Sequence, residues 1–264
     1  MSKLYPVGVQ NFEKVILGGY KYVDKTALIY ELFNTGSYYF LSRPRRFGKS
    51  LLLSTLEAYA QGKKELFKGL ALEKLEKDWT VYPVLHLDLN TQKYDSPESL
   101  TNVLEENVRN WEALYGASSA EIGVARRFQG LIRRACEQTG RRVVILIDEY
   151  DKPMLQAIGN EALQNEYRST LKAFYGALKS MDGCIRFALL TGVTKFGKVS
   201  VFSDLNNLMD ISMDDRYVEI CGISEKEVHA YFEEDIHELA TATGMSYEQA
   251  CAELKANYDG YHFT

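Results

Sequence analysis

Residues 38–60 read YYFLSRPRRFGKSLLLSTLEAYA. Tyr38–Ser42 is a short β-prone run, and Lys49–Ala60 repeats leucines at helical spacing. Between them lie a proline, three arginines and a glycine. A strand, a glycine-bearing loop and a helix in that order make a phosphate cradle, because backbone N–H groups at a helix N-terminus point at the anion. Lys49 would reach the β- and γ-phosphates of a nucleoside triphosphate, and Ser50 would place its hydroxyl on Mg²⁺. The candidate binding segment is Arg43, Pro44, Arg45, Arg46, Phe47, Gly48, Lys49, Ser50 and Leu51.

The usual pattern is G-x-x-x-x-G-K-[ST], and here Arg43 stands at the first glycine. Two other readings compete. Gly48-Lys49-Ser50 also suits an ordinary loop–helix junction, and Arg43, Arg45 and Arg46 would suit a DNA- or RNA-contacting patch. The arginines adjoin the Gly-Lys-Ser rather than forming a stripe, which favours a triphosphate.

Further along, Val143-Val144-Ile145-Leu146-Ile147-Asp148-Glu149 is a continuous apolar strand ending in two acids. Such a run belongs to a strand covered on both faces of a parallel sheet. Asp148 would hold Mg²⁺, and Glu149 would orient or deprotonate an attacking water. Ile185–Gly192 is a second apolar strand, and Thr191 near its end falls where a sensor would touch the γ-phosphate or the attacking water. Lys195 and Lys198 follow in a loop, where solvated lysines are the ordinary reading. The intervening strand Tyr82–Leu89 matches the class of P-loop ATPases that insert a strand between the two motifs.

Several of these segments resemble a known family. YPVGVQNFEKVI, YKYVDKT, LSRPRRFGKSLLLSTLEAY, VVILIDEYDKP, LLTGVTKFGKVSVFSDLNNL and YDGYHF are similar to the bacterial AAA-ATPase-like family, over nearly the whole chain. Members commonly carry a PD-(D/E)XK nuclease-like domain after the ATPase part. The resemblance implies an AAA/STAND-like ATPase module that uses ATP and Mg²⁺. It also implies that Arg43 in the first loop position is the family's own style. Gly48, Lys49 and Ser50 then match one motif, Asp148 and Glu149 the other, and Thr191 the sensor-like position. The nuclease-like domain has no counterpart in this sequence.

Composition sets the outer bounds. The chain has 264 residues, 46% hydrophobic and 25% charged, with a formal charge of −5, the make-up of an ordinary globular protein and not of a polybasic nucleic-acid binder. No apolar run approaches the ~18 residues of a membrane span. The N-terminus lacks a signal-peptide core, and Cys136, Cys184, Cys221 and Cys251 form no CxxC pair, so a cytoplasmic setting is expected.

Other features are assigned bland roles. His229, Glu233 and His237 share one helix face at a spacing that could ligate a metal, but an exposed polar face is the simpler reading. Asp210, Asp214 and Asp215 read as a solvated turn, and Asp88 as a hydrogen-bonding strand end. Asp24 is expected to cap a helix over 25–34 and to pack the leader on the core. The tyrosines would suit nucleic-acid stacking, yet mostly read as packing residues.

The expectation is therefore a three-layer α/β P-loop NTPase of the AAA-like kind with a mostly parallel sheet in the order 5-1-4-3-2. Tyr217–Ile220 supplies the fifth strand. Residues 1–35 form a leader, 36–222 the ATPase core, and 223–264 the start of a helical lid, with a following domain missing. The function expected is Mg-dependent ATP binding with slow hydrolysis, acting as a switch for that domain. The alternative is a non-hydrolysing nucleotide-gated module or a nucleic-acid adaptor. A homo-oligomer would let Arg186 or Arg216 serve as an arginine finger.

Overall fold

The computed structural model describes residues 4–195 and 207–261. Its centre is one sheet of five parallel strands: β1 (Tyr38–Ser42), β2 (Val84–Asp88), β3 (Val143–Asp148), β4 (Ile185–Gly192) and β5 (Met209–Asp210). Their spatial order is β2-β3-β4-β1-β5, the expected 5-1-4-3-2 read from the other edge. Every residue of β3 is buried. An unbroken apolar strand with no polar face must be covered on both sides, and it is.

On one face lie α5 (Pro97–Tyr115), α6 (Val124–Thr139) and α8 (Glu161–Ser180). Leu104, Leu131 and Phe174 from these helices pack with Phe40, Ile145 and Leu190 of the strands. The Phe128 and Phe174 rings stack at 4.2 Å and tie α6 to α8. On the other face, α2 (Thr26–Thr35) and α3 (Lys49–Ala60) bring Leu32, Leu53 and Leu56 against Leu41, Leu146 and Leu189. The alternation of side chains along each strand thus feeds two cores. Phe12 of α1 (Phe12–Leu17) belongs to the second one.

The fifth strand differs from the sequence expectation. Tyr217–Ile220 is not a strand: Asp215–Tyr217 is a 3₁₀ turn, and Tyr217 and Ile220 are buried in the second core. Two apolar residues three apart fit a tight turn facing the core, whereas a strand would send them to opposite faces. The pairing with β1 is made by Met209 and Asp210.

The leader helix also differs in detail. Lys25, not Asp24, sits at the N-cap of α2. Asp24 Oδ1 accepts from Thr26 N at 2.8 Å, while Oδ2 accepts from Ala71 N at 2.7 Å. The carboxylate thereby joins the start of α2 to the start of the short helix α4 (Ala71–Leu75), and Leu72 N donates to Thr26 Oγ1.

Past Ile220 the chain becomes helical, with α9 (Glu225–Thr243) and α10 (Tyr247–Tyr258) sharing a small core of Ile236, Ala240 and Ala250. A capping box of Ser224 and Glu227 opens α9. Lys25 pairs with Glu227, Lys21 pairs with Asp235, and Tyr5 stacks on Phe232, so α9 leans on the N-terminal segment. Among the described residues no helix is long and apolar enough to cross a membrane.

Candidate functional site

Parallel pairing of β1 beside β4, and of β4 beside β3, brings the carboxyl ends of three strands together. Ligands of open α/β sheets bind in the crevice outside such ends. The 43–50 loop leaves β1 at this edge, with Arg43 N donating to Gly192 O at 3.1 Å. Arg46 and Gly48 both adopt left-handed backbone, with φ of 69° and 85°. A Cβ at Gly48 would meet nothing within 4 Å, so glycine is needed there for its conformation and not for space. α3 begins directly after it, and Leu52 N donates to Gly48 O.

Lys49 is 5% exposed and is held on several sides. Its Nζ donates to the carbonyls of Arg43 at 3.1 Å and Pro44 at 3.3 Å, and stands 3.1 Å from Glu149 Oε1. Ser50 Oγ donates to Asp148 Oδ2 at 2.5 Å. Thr191, fully buried, donates to the other oxygen, Asp148 Oδ1, also at 2.5 Å. Three residues the sequence singled out therefore meet at one carboxylate.

Glu149 follows Asp148 with a φ of 54°. Left-handed backbone at a residue other than glycine, asparagine or aspartate is uncommon, and it gathers at functional sites. Loss of solvation on burial, aided by the charges of Asp148 and Asp151, outweighs Lys49 and raises the Glu149 pKa above the ordinary carboxylate value. A carboxylate tuned upward is the better proton acceptor near neutral pH.

The remaining loop residues divide by exposure. Arg45 and Arg46 are exposed and make no ion pair among the described residues. Phe47 places its ring 4.7 Å from that of Tyr261, and its carbonyl accepts from Gly222 N at 3.0 Å. Leu51 is half-buried on the second core. Arg43 turns inward: it is 1% exposed, and Nη1 donates to Ser212 O at 2.6 Å while Nη2 approaches Val218 O at 3.5 Å. Its side chain is directed at the segment between β5 and α9, not at the mouth of the loop.

Asp151 escaped the sequence reading. It is fully buried and accepts from Thr194 N at 2.8 Å, Thr194 Oγ1 at 2.9 Å and Val193 N at 3.2 Å, pinning the turn that follows Thr191. In sequence it is one more acid after a strand. The signal was its place in VVILIDEYDKP, before the short helix α7 (Lys152–Gln156), which has proline in its first turn.

Other singled-out residues lie elsewhere. Lys195 pairs with Asp210 at 3.0 Å, Arg216 with Asp214 at 2.6 Å, and Arg186 lies over the Phe33 ring. Lys198 falls outside the described residues. Asp88 is exposed and accepts from Asn90 N. His229 bonds the Tyr247 hydroxyl at 3.0 Å, and the His237 ring rests 4.5 Å from the Tyr247 ring. No cluster of metal-ligating side chains occurs among the described residues.

No solved structure matches the chain. It is 40% identical over 264 residues to an "Uncharacterized protein in vnfD 5'region" of Azotobacter chroococcum mcd 1, covering 99% of this chain and 49% of the relative. The chain thus spans about half the length of that protein. Residues 6–202 match the model of a family described as predicted AAA-ATPase. With that match over most of its length, the chain belongs to the predicted AAA-ATPase family.

Proposed function

We propose that the 43–50 loop is a phosphate-binding P-loop, that Asp148 and Glu149 complete it as a Walker B pair, and that the chain binds Mg·ATP and hydrolyses it slowly. The observation that carries the reading is the junction of Ser50 and Thr191 on the two oxygens of Asp148. A helix-start hydroxyl and a buried carboxylate joined at a strand end are the donor set that suits Mg²⁺ beside a triphosphate. Ser50 and Asp148 would hold the ion, which supplies positive charge against the phosphate oxygens.

Lys49 binds the β- and γ-phosphates, leaving the carbonyls of Arg43 and Pro44 for them. The backbone N–H groups of the loop and of Leu51 contribute at the helix start. Glu149 accepts the proton of the attacking water, and Thr191 orients the γ-phosphate end. The bound state works as a conformational switch for a further domain; the greater length of the relative leaves room for one, and the Phe47–Gly222 hydrogen bond leads from the loop toward α9. A second reading, a nucleotide-gated module without turnover, is favoured by one observation: Glu149 is engaged with Lys49.

Titration of a fluorescent ATP analogue, with and without Mg²⁺, tests the reading against Lys49→Ala. Saturable, Mg²⁺-assisted binding is expected, with affinity falling roughly 10- to 100-fold in the variant, as for loss of a charged hydrogen bond. Equal binding by the variant would sink the assignment of the loop. Phosphate release then separates the two readings.

A further inference from the structure

Residues 124–142 carry six arginines and one glutamate, in a chain whose formal charge is −5. Two of the arginines serve the fold. Arg127 holds Glu112 through two hydrogen bonds of 3.0 and 2.7 Å, and Arg134 binds Glu121 at 2.6 Å and Gly116 O at 3.0 Å. The other four, Arg126, Arg133, Arg141 and Arg142, are exposed. Among the described residues, Arg126, Arg141 and Arg142 make no ion pair, and Arg133 only approaches Glu121 at 3.7 Å.

Packing explains why Glu121 does little to offset these charges. Glu121 lies flat on Gly130, where a Cβ would meet its Oε1 at 1.7 Å, and its carboxylate is turned to Arg134. Above it a cleft of about 180 Å³ opens, flanked by Arg126 and Arg133, with Gln129 between them and Met181 at its edge. Arg126, Gln129 and Arg133 follow one helix face, since positions three, four and seven apart align. Glu137 shares that face and offsets one charge. Arg141 and Arg142 carry the row past the end of α6, just before β3. At 1.5 Å per residue, Arg126 to Thr139 spans about 20 Å.

We infer that this row is a binding track for the phosphate backbone of a nucleic-acid duplex. Exposed guanidinium groups spread along α6 and past its end match a polyanion with closely repeated phosphates and allow planar, bidentate contact. A single strand would be held largely by aromatic stacking, and the exposed face of α6 (Arg126, Gln129, Arg133, Glu137) has no aromatic residue. Contacts to phosphate position a protein without reading bases, so the contact is independent of sequence. The track is separate from the 43–50 loop: Arg141 and Arg142 enter β3 at the end opposite Asp148.

The test is fluorescence anisotropy with a mixed-sequence DNA duplex of about 20 base pairs, long enough to span the track, on the full chain. Four phosphate contacts predict that affinity falls about 100-fold between 50 and 200 mM salt. Arg126→Gln, Arg133→Gln, Arg141→Gln and Arg142→Gln together should weaken binding at least 100-fold at low salt. Each single change should lower the salt slope by about one. Binding of the ATP analogue and the melting temperature should stay as in the wild type. Saturating ATP should not compete the duplex away. The inference is overturned if the wild type binds no duplex at 50 mM salt, or binds single strands, polyglutamate or anionic vesicles in preference. It is equally overturned if the fourfold variant binds as well as wild type, or if Arg45→Gln with Arg46→Gln removes the binding instead.

Discussion

Lys49 Nζ stands 3.1 Å from Glu149 Oε1, with the two side chains only 4% and 14% exposed. The lysine proposed to meet phosphate and the carboxylate proposed to serve as base are thus partners of one another. In the proposed site, a phosphate that draws Lys49 from Glu149 as well as from the carbonyls of Arg43 and Pro44 would release the carboxylate toward solvent and the reacting water. On that proposal, binding and activation of the base would be coupled through one ion pair.

Glu149→Gln removes the charge that competes for Lys49 while keeping the shape. Nucleotide affinity should rise roughly fivefold, about the worth of a modest ion pair. Phosphate release should fall by about 10²- to 10⁴-fold, the usual contribution of a general base. Because burial raises the Glu149 pKa, wild-type turnover should decline on the acid side as pH falls through that raised value. A Gln variant that binds no tighter would show that the pair does not oppose phosphate.

Asp151→Asn puts an N–H₂ where an acceptor faces the N–H groups of Val193 and Thr194. The buried donors would lose a partner, at about 1–3 kcal/mol. Urea unfolding should show that loss. Turnover should fall as well, since the turn after Thr191 is released. Unchanged unfolding would mean the turn holds itself.

Much of this was legible because it rests on local periodicity. The bounds of β1, α3 and α5 follow from apolar spacing, a glycine and a capping serine, all within a few residues. The fifth strand was missed because its two residues owe their pairing to β1 rather than to any pattern of their own. The place of Arg43 could not be read, since its partners Ser212 and Val218 come from a distant part of the chain. The meeting of Ser50, Thr191 and Asp148 was foreseeable in type, as three strand or helix ends, but the Lys49–Glu149 pair was not.

His86 on β2 meets Glu57 on α3, with Nδ1 and Oε2 2.8 Å apart. Burial alone would lower the imidazole pKa, but the hydrogen bond and charge of Glu57 more than offset it, and the value lies above the ordinary 6.5. Burial would raise Glu57, yet His86 draws it below the ordinary 4.5. The carboxylate's contribution is present above 4.5 and lost as pH falls through its depressed value. The imidazole's is present below 6.5 and lost as pH rises through its raised value. His86→Asn should therefore cost most stability between about pH 4.5 and 6.5, with a shrinking difference on either side. Urea unfolding from pH 4 to 8 reads it directly, and a pH-independent gap would mean that packing alone is lost.

Arg43→Gly restores the first glycine of the usual phosphate-loop pattern, and the structure predicts that this harms the protein. The guanidinium donates to Ser42 O at 3.1 Å and Ser212 O at 2.6 Å, with Val218 O at 3.5 Å, and glycine would leave those carbonyls facing a cavity. Loss of charged hydrogen bonds at a buried site costs about 3 kcal/mol. Glycine adds up to about 1 kcal/mol through the entropy of the unfolded chain. At about 2–4 °C per kcal/mol for a chain of this size, melting should drop by roughly 10 °C. Arg43→Lys should recover part of that, because an ammonium on a long stem can still donate to one of the carbonyls. A glycine variant as stable as wild type would show that the segment from Ser212 to Val218 does not depend on Arg43. A contact to phosphate would then be the role to test for it, as its position in the loop first suggested.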